Sequence, residues 1–245
     1  MRYARIDALR GLAVLGMVCY HFCYDWFVVF GRNPFWFQHG AVVLWQQAVC
    51  WTFILLSGFV WYWGRRGALR RGLICSLCGL AVTLVTALAV PEEAVWFGVL
   101  SFYGCAIWLL LPLEPLLRRV PGWPGLGIGF VLFVLTRRVA EGVVSLGSLT
   151  LWHIPRNVYQ SGWLMPLGFP APGFRSSDYF PLLPWFFLFL CGYFLFRISR
   201  ERESWQRLLK GTAPEGLARI GRHSLLIYML HQPLCMGLCW LLKNV

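Results

Sequence analysis

The sequence predicts an all-α fold: a polytopic membrane helix bundle with about seven transmembrane helices, amino terminus cytoplasmic and carboxyl terminus outside. Three observations carry this. Hydrophobic residues make up 58% of the 245 positions and charged residues only 13%, whereas a soluble domain carries about 25% charged residues. Apolar runs long enough to cross a bilayer recur along the chain. The cations gather between alternate runs. This composition excludes a disordered chain, a coiled coil and an ordinary soluble enzyme, and indicates one integral-membrane domain over residues 1–245.

The first run, 9–30, follows Arg2 and Arg5; it is too long for a signal peptide and no small-residue cleavage site follows it, so it reads as a retained helix. Runs 41–63, 73–90 and 94–113 each approach the roughly 20 residues that a spanning helix needs. Run 122–135 is short and rich in Gly and Pro. An outer loop, 136–178, follows; within it 143–152 reads as a partial helix at the membrane surface. Run 179–196 opens with Asp178, Pro181 and Pro184, in keeping with an Asp cap and Pro in a helix's first turn. Residues 197–222 are charged and read as a solvated connector helix. Run 224–242 closes the chain. The runs are helices because lipid leaves only helices or closed barrels, and they are too long for barrel strands.

Formal charge is +12, with 22 Lys and Arg against 10 Asp and Glu. With the amino terminus inside, the cytoplasmic segments hold Arg2, Arg5, Arg10, Arg65, Arg66, Arg70, Arg71, Arg118, Arg119, Arg197, Arg200, Arg202, Arg207, Lys210, Arg219 and Arg222. That is sixteen cations. The outer segments hold six: Arg32, Arg137, Arg138, Arg156, Arg175 and Lys243. This split follows the positive-inside rule for seven helices. The basic balance therefore points to anionic lipid headgroups and not to nucleic acid. The nine Cys lie inside or beside apolar runs and read as small helix-packing residues. Cys75 and Cys78 have CxxC spacing with no second pair near them, so no metal site is expected.

Ionisable residues inside a membrane are costly, and each is a functional candidate. The first helix holds Asp7, Arg10, His21 and Asp25. At 100° per residue, Arg10, His21 and Asp25 lie at about 300°, 320° and 0° from Asp7, a stripe roughly 60° wide that runs about 27 Å along the helix. His21 and Asp25 are i,i+4 neighbours, and a carboxylate beside an imidazole fixes its tautomer and raises its basicity. Asp7 and Arg10 are i,i+3, a spacing suited to an ion pair. In the last helix Ser224, Tyr228, His231 and Cys235 share one face, and Pro233 predicts a kink at His231. His39, on the outer loop, is an alternative proton-handling group.

These residues carry a resemblance. Arg5-Ile-Asp7-Ala-Leu-Arg10-Gly11, then His21-Phe22 and Tyr24-Asp25-Trp26, resemble the opening of the heparan-α-glucosaminide N-acetyltransferase catalytic-domain family of transmembrane acyltransferases. So do Phe53 to Gly58, Asp178 to Trp185 with Gly192-Tyr193, and Ile220 to Pro233. The likeness spans almost the whole chain. In the lysosomal members, which are longer, an Asn stands where His21 stands here, and the proposed catalytic His lies some eleven residues further on, near Arg32.

The resemblance implies acyl transfer from acetyl-CoA, as co-substrate, to an amine or hydroxyl of a sugar-like acceptor at the outer face. His21, Asp25 and His231 are the expected catalytic residues. Arg10, Asp178, Tyr179, Ser224, Tyr228 and Gln232 are the expected substrate-binding residues. Arg10, Arg65, Arg66, Arg70 and Arg71 are candidates for the CoA phosphates. The expected partners are acetyl-CoA, the sugar-like acceptor and the lipid bilayer, with no nucleic acid and with a homodimer admitted. The expected location is a bacterial inner membrane. Two other readings of the same stripe stand beside this one: a proton-coupled transporter, and a structural membrane protein that uses its polar residues as inter-helix glue.

Overall fold

A computed structural model describes residues 3–243; Arg2, counted above among the inner cations, lies outside them. Among the described residues seven helices are long and apolar enough to cross a membrane: Ala4–Val29, Gly40–Phe59, Trp61–Ala89, Val99–Leu117, Gly122–Glu141, Leu182–Arg200 and Ser224–Lys243. The chain divides into two compact units, Met1–Leu56 with Ser199–Val245, and Ser57–Ile198.

The first unit is built on α1, Ala4–Tyr24, whose helix widens at Asp25 into one π-helical turn, Asp25–Val29. Most of α2 (Gly40–Phe59) belongs here, with α8 (Glu203–Lys210), α9 (Glu215–Arg222) and α10 (Ser224–Lys243). Lipid is as apolar as leucine, so helices in it associate by close packing and hydrogen bonds and not by apolar burial. The sequence obeys this with small residues. A Cβ on Gly11 would collide with the Leu217 carbonyl, and one on Gly221 with the Asp7 carbonyl. Ala218 between them is fully buried. The backbones of α1 and α9 therefore touch. Residues 197–222 are thus not one solvated connector. They form the end of the sixth span and two short helices, and α9 is packed on α1 because its Gly and Ala face has no side chains to hold the helices apart. Arg5 ties α8 to the same end of α1, donating from Nε to the Thr212 carbonyl (3.1 Å) and from Nη1 to the Leu208 carbonyl (2.8 Å).

The second unit follows the same rule. A four-residue helix α3 (Trp61–Gly64) and a 3-10 turn run into α4 (Ala68–Ala89), which pairs with α5 (Val99–Leu117). Gly72 and Gly79 of α4 face Trp108 and Ser101, and Gly104 of α5 faces Ser76. On the far side of α4, Leu69, Leu73, Leu77, Leu80, Leu84 and Leu88 are all exposed. Their three- and four-residue spacing makes a lipid-facing stripe. Next, α6 (Gly122–Thr136) sets Gly125 and Gly129 against Phe194 and Cys191 of α7 (Leu182–Arg200), so the glycines that made this run weak as a helix signal are its contact face. Most of α7 lies in this unit and is the most deeply buried span.

The boundaries differ from expectation where local geometry intervenes. Arg70 and Arg71 sit inside α4; Arg70 is exposed, as a long basic side chain that can leave a helix for the interface, and the Arg71 guanidinium lies against Gly64. The fourth span starts at Val99, since Pro91–Glu93 form a 3-10 turn and Phe97 takes a left-handed φ of 56°. Residues 143–152 are not a helix. They form an antiparallel hairpin, β1 (Val143–Leu146) with β2 (Leu149–His153), in which Val143 faces His153 and Leu146 faces Leu149. Gly147, at φ +61°, makes the turn that a side chain would strain.

The Gly221 contact is directly testable. Gly221→Leu forces a side chain into the Asp7 backbone and costs about 1–3 kcal/mol. Gly216→Leu, where no atom lies within 4 Å of a Cβ, leaves the protein unchanged. Thermal unfolding in detergent should separate the two variants; equal midpoints would sink the close-contact argument.

Candidate active site

The site lies in the first unit, where α1 packs on α10. His231, Cys235 and Cys239 are buried at four-residue steps along α10, which places them on one face. The Cys235 and Cys239 thiols donate to the Val18 and Phe22 carbonyls of α1, each at 3.8 Å. These contacts set the register of the two helices, and they put the polar stripe of α1 opposite the polar face of α10.

In that register the His21 and His231 rings meet edge-on, with centroids 4.7 Å apart. Asp25 is wholly buried and accepts at Oδ1 from Gln232 Nε2 at 2.9 Å. Asp25 is also the residue at which α1 gives way to the π turn, a departure from α geometry that recurs at functional sites. His231 Nδ1 lies 2.6 Å from the Tyr228 carbonyl. A carbonyl only accepts, so Nδ1 carries the proton and, in the neutral ring, Nε2 presents its lone pair. Among the described residues that buried Nε2 has no hydrogen-bond partner, and neither has Gln232 Oε1. Buried polar atoms are nearly always paired, so two orphaned acceptors beside two imidazoles mark a place for a donor.

The other expected residues fall as follows. Arg10 and Asp7 form the i,i+3 ion pair at 3.4 Å, both largely covered. Ser224 is the first residue of α10 and Tyr228 lies one turn before His231, its ring 5.3 Å away. α10 runs through Pro233 as one helix. His39 is exposed, at the end of a 3-10 turn ahead of α2.

Asp178 and Tyr179 belong to the second unit. Asp178 does not cap the helix that follows it, which begins at Leu182. Its Oδ2 accepts from the Val99 N–H at 3.3 Å, so it serves the amino-terminal turn of α5 instead. The Tyr179 hydroxyl donates to the Met165 carbonyl at 2.5 Å, and burial, with Tyr159 adding to it, pushes that hydroxyl well above its ordinary pKa. Tyr179 is thus a fixed donor and not a base near neutral pH.

Three features escaped the sequence reading. The Tyr228 carbonyl that sets the His231 tautomer is backbone and has no signature. The Gln232–Asp25 bond joins residues 207 positions apart. Glu114, in the second unit, is a buried carboxylate held by Arg118 at 2.7 Å and Arg65 at 3.7 Å. Its position between Pro112 and Pro115 in an apolar run was the available signal. Arg65 is therefore engaged with Glu114, and its guanidinium also lies over the Tyr62 ring.

Gln232→Leu removes the donor to Asp25 at nearly constant volume. It should cost about 1–3 kcal/mol, as for a buried acceptor deprived of its hydrogen bond. Asp25→Asn, which keeps shape and drops the charge, should cost less. Thermal unfolding of both variants tests this; a Gln232→Leu protein as stable as the wild type would remove the bond's structural role.

Residues 2–233 match the family described as heparan-alpha-glucosaminide N-acetyltransferase, catalytic. Neither a curated protein nor a solved structure matches. The match covers nearly the whole chain, and it coincides with seven membrane-length helices and a buried, histidine-bearing site between two of them. The chain belongs to the heparan-alpha-glucosaminide N-acetyltransferase catalytic-domain family, and is a multi-pass membrane protein of an acetyltransferase family.

Proposed function

We propose that this chain forms one catalytic domain that transfers an acetyl group from acetyl-CoA to an amine or hydroxyl of a sugar-like acceptor at the outer membrane face. The observation that carries the reading is the pair of imidazoles, His21 and His231, held against each other beside the buried Asp25–Gln232 bond. The family's acetyltransferase description supplies the reaction class.

In the reaction, His21, oriented by Asp25, takes the proton from the acceptor's N–H or O–H. The freed electron pair attacks the thioester carbonyl carbon. The new C–N or C–O bond forms as the C–S bond breaks, and the CoA thiolate leaves with the proton held by the imidazolium. His231 is the second base of the site. Its Nε2 lone pair is fixed by the Tyr228 carbonyl on the opposite nitrogen, the arrangement that an acceptor hydrogen bond needs. Ser224, Tyr228 and Gln232 line the acceptor path on the same helix. Arg10, at the other end of the stripe, meets the CoA phosphates as a guanidinium suited to them. The amino terminus lies in the cytoplasm, where the cation excess places it, and the membrane is a bacterial inner membrane.

Two measurements test this. Calorimetry with acetyl-CoA on the detergent-purified protein should give saturable binding that Arg10→Ala weakens and His21→Ala leaves intact. A folded wild type that binds nothing at millimolar acetyl-CoA would defeat the reading and favour transport. Radiolabelled acetyl transfer to a panel of amino sugars and sugars should fall by about 10²–10⁴-fold in His21→Gln and in His231→Gln, the range for loss of a positioned acid–base group. Full activity in both would remove the imidazoles from the chemistry.

A further inference from the structure

The short helix α8, Glu203–Lys210, has no part in the site above. It begins three residues after the sixth span ends at Arg200. Arg5, the second residue of the first span, donates to the Leu208 carbonyl in its last turn and to the Thr212 carbonyl just beyond it. α8 is therefore pinned at the level where two spans meet the membrane surface.

Its sequence divides by face. Trp205, Leu208 and Leu209 are at i, i+3 and i+4, one stripe of the helix. Arg202 flanks that stripe, and Arg207 and Lys210 lie round the other side. Trp205 is 40% exposed and Leu208 57%, although they are the apolar face of a helix that touches α1. In water such a face would be a liability. At a bilayer surface it matches the pattern of an in-plane helix: an aromatic and a leucine for the acyl boundary, and long cationic side chains that reach the headgroups. The acids Glu201 and Glu203 sit at the start of the segment, and the cations outnumber them.

We propose that α8 is an interfacial anchor that lays Trp205 and Leu208 into the leaflet at the amino-terminal end of the first span and binds anionic phospholipid headgroups through Arg202, Arg207 and Lys210. The bilayer is the occupant of this face because the span that leads into α8 and the span hydrogen-bonded to it are both long and apolar enough to cross a membrane. The cationic excess selects phosphatidylglycerol-like lipid over zwitterionic lipid.

The test uses the full chain reconstituted in vesicles whose lipids carry bromine on shallow acyl positions. The emission of Trp205 is the difference between wild type and Trp205→Phe, each checked for unchanged helicity and thermal midpoint. Bromine is expected to quench that difference signal, roughly two-fold or more strongly in phosphatidylglycerol than in phosphatidylcholine vesicles. Arg202→Gln, Arg207→Gln and Lys210→Gln together should bring the two lipids level. A Trp205 signal quenched by aqueous iodide and untouched by bromolipid would place α8 in water or against a soluble protein and overturn the proposal. Equal bromine quenching of the wild type in both lipids would overturn it as well, because the headgroup selection would be gone.

Discussion

Everything in the first unit rests on how closely α1 is packed. Lipid cannot solvate a charge, so the ionisable residues of α1 must face protein, and a helix can present them inward only if its neighbours come near. The glycines make this possible. At Gly11 and Gly221 the backbones of α1 and α9 are in contact, with no side chain between. The Asp7–Arg10 ion pair sits at that end and the His21–Asp25 region at the other, against α10. The thiols of Cys235 and Cys239 then fix α10 on the α1 carbonyls, and with it the meeting of His21 and His231.

The chemistry of the site depends on which nitrogen of His231 is protonated. That is decided by a backbone carbonyl, the least variable acceptor a helix can offer. A tautomer set this way does not rely on a second ionisable group; Asp25, on the π turn, accepts from Gln232 at one oxygen. Orphaned acceptors at His231 Nε2 and Gln232 Oε1 would be a defect in a purely structural helix contact. In an acyl-transfer site they are the groups that an acceptor's N–H or O–H would satisfy.

The second unit shows the same inversion of the soluble-protein rule. Its leucines on α4 point out and its Gly and Ser residues point in. Its charges are placed where they serve helix ends or one another. Arg197 donates to the Leu117 carbonyl at 2.9 Å, closing the last turn of α5. Asp178 opens the first turn of the same helix. Glu114 is neutralised by two arginines from different elements. Each is a polar group that the membrane edge would otherwise leave without partners.

The number of spans was legible in the sequence, because the bilayer's thickness imposes a length that no tertiary contact changes. So were the stripe on α1 and the face of α10, since helical periodicity alone places residues 3, 4 and 7 apart together. The family could be read too, from motifs at both ends and in the middle. What local pattern could not supply was anything made by residues distant in sequence. The stretch 143–152 is short and apolar and suits a helix or a strand equally; pairing of Val143 with His153 decided for a hairpin. Asp178 looked like a cap for its own helix and became the partner of Val99, 79 positions earlier. Sequence alone determined which side chains must avoid lipid and which faces they share. Only the tertiary structure decided which of them meet, because the register of one helix on another is set by glycine contacts and backbone acceptors, and these leave no periodic trace in the sequence.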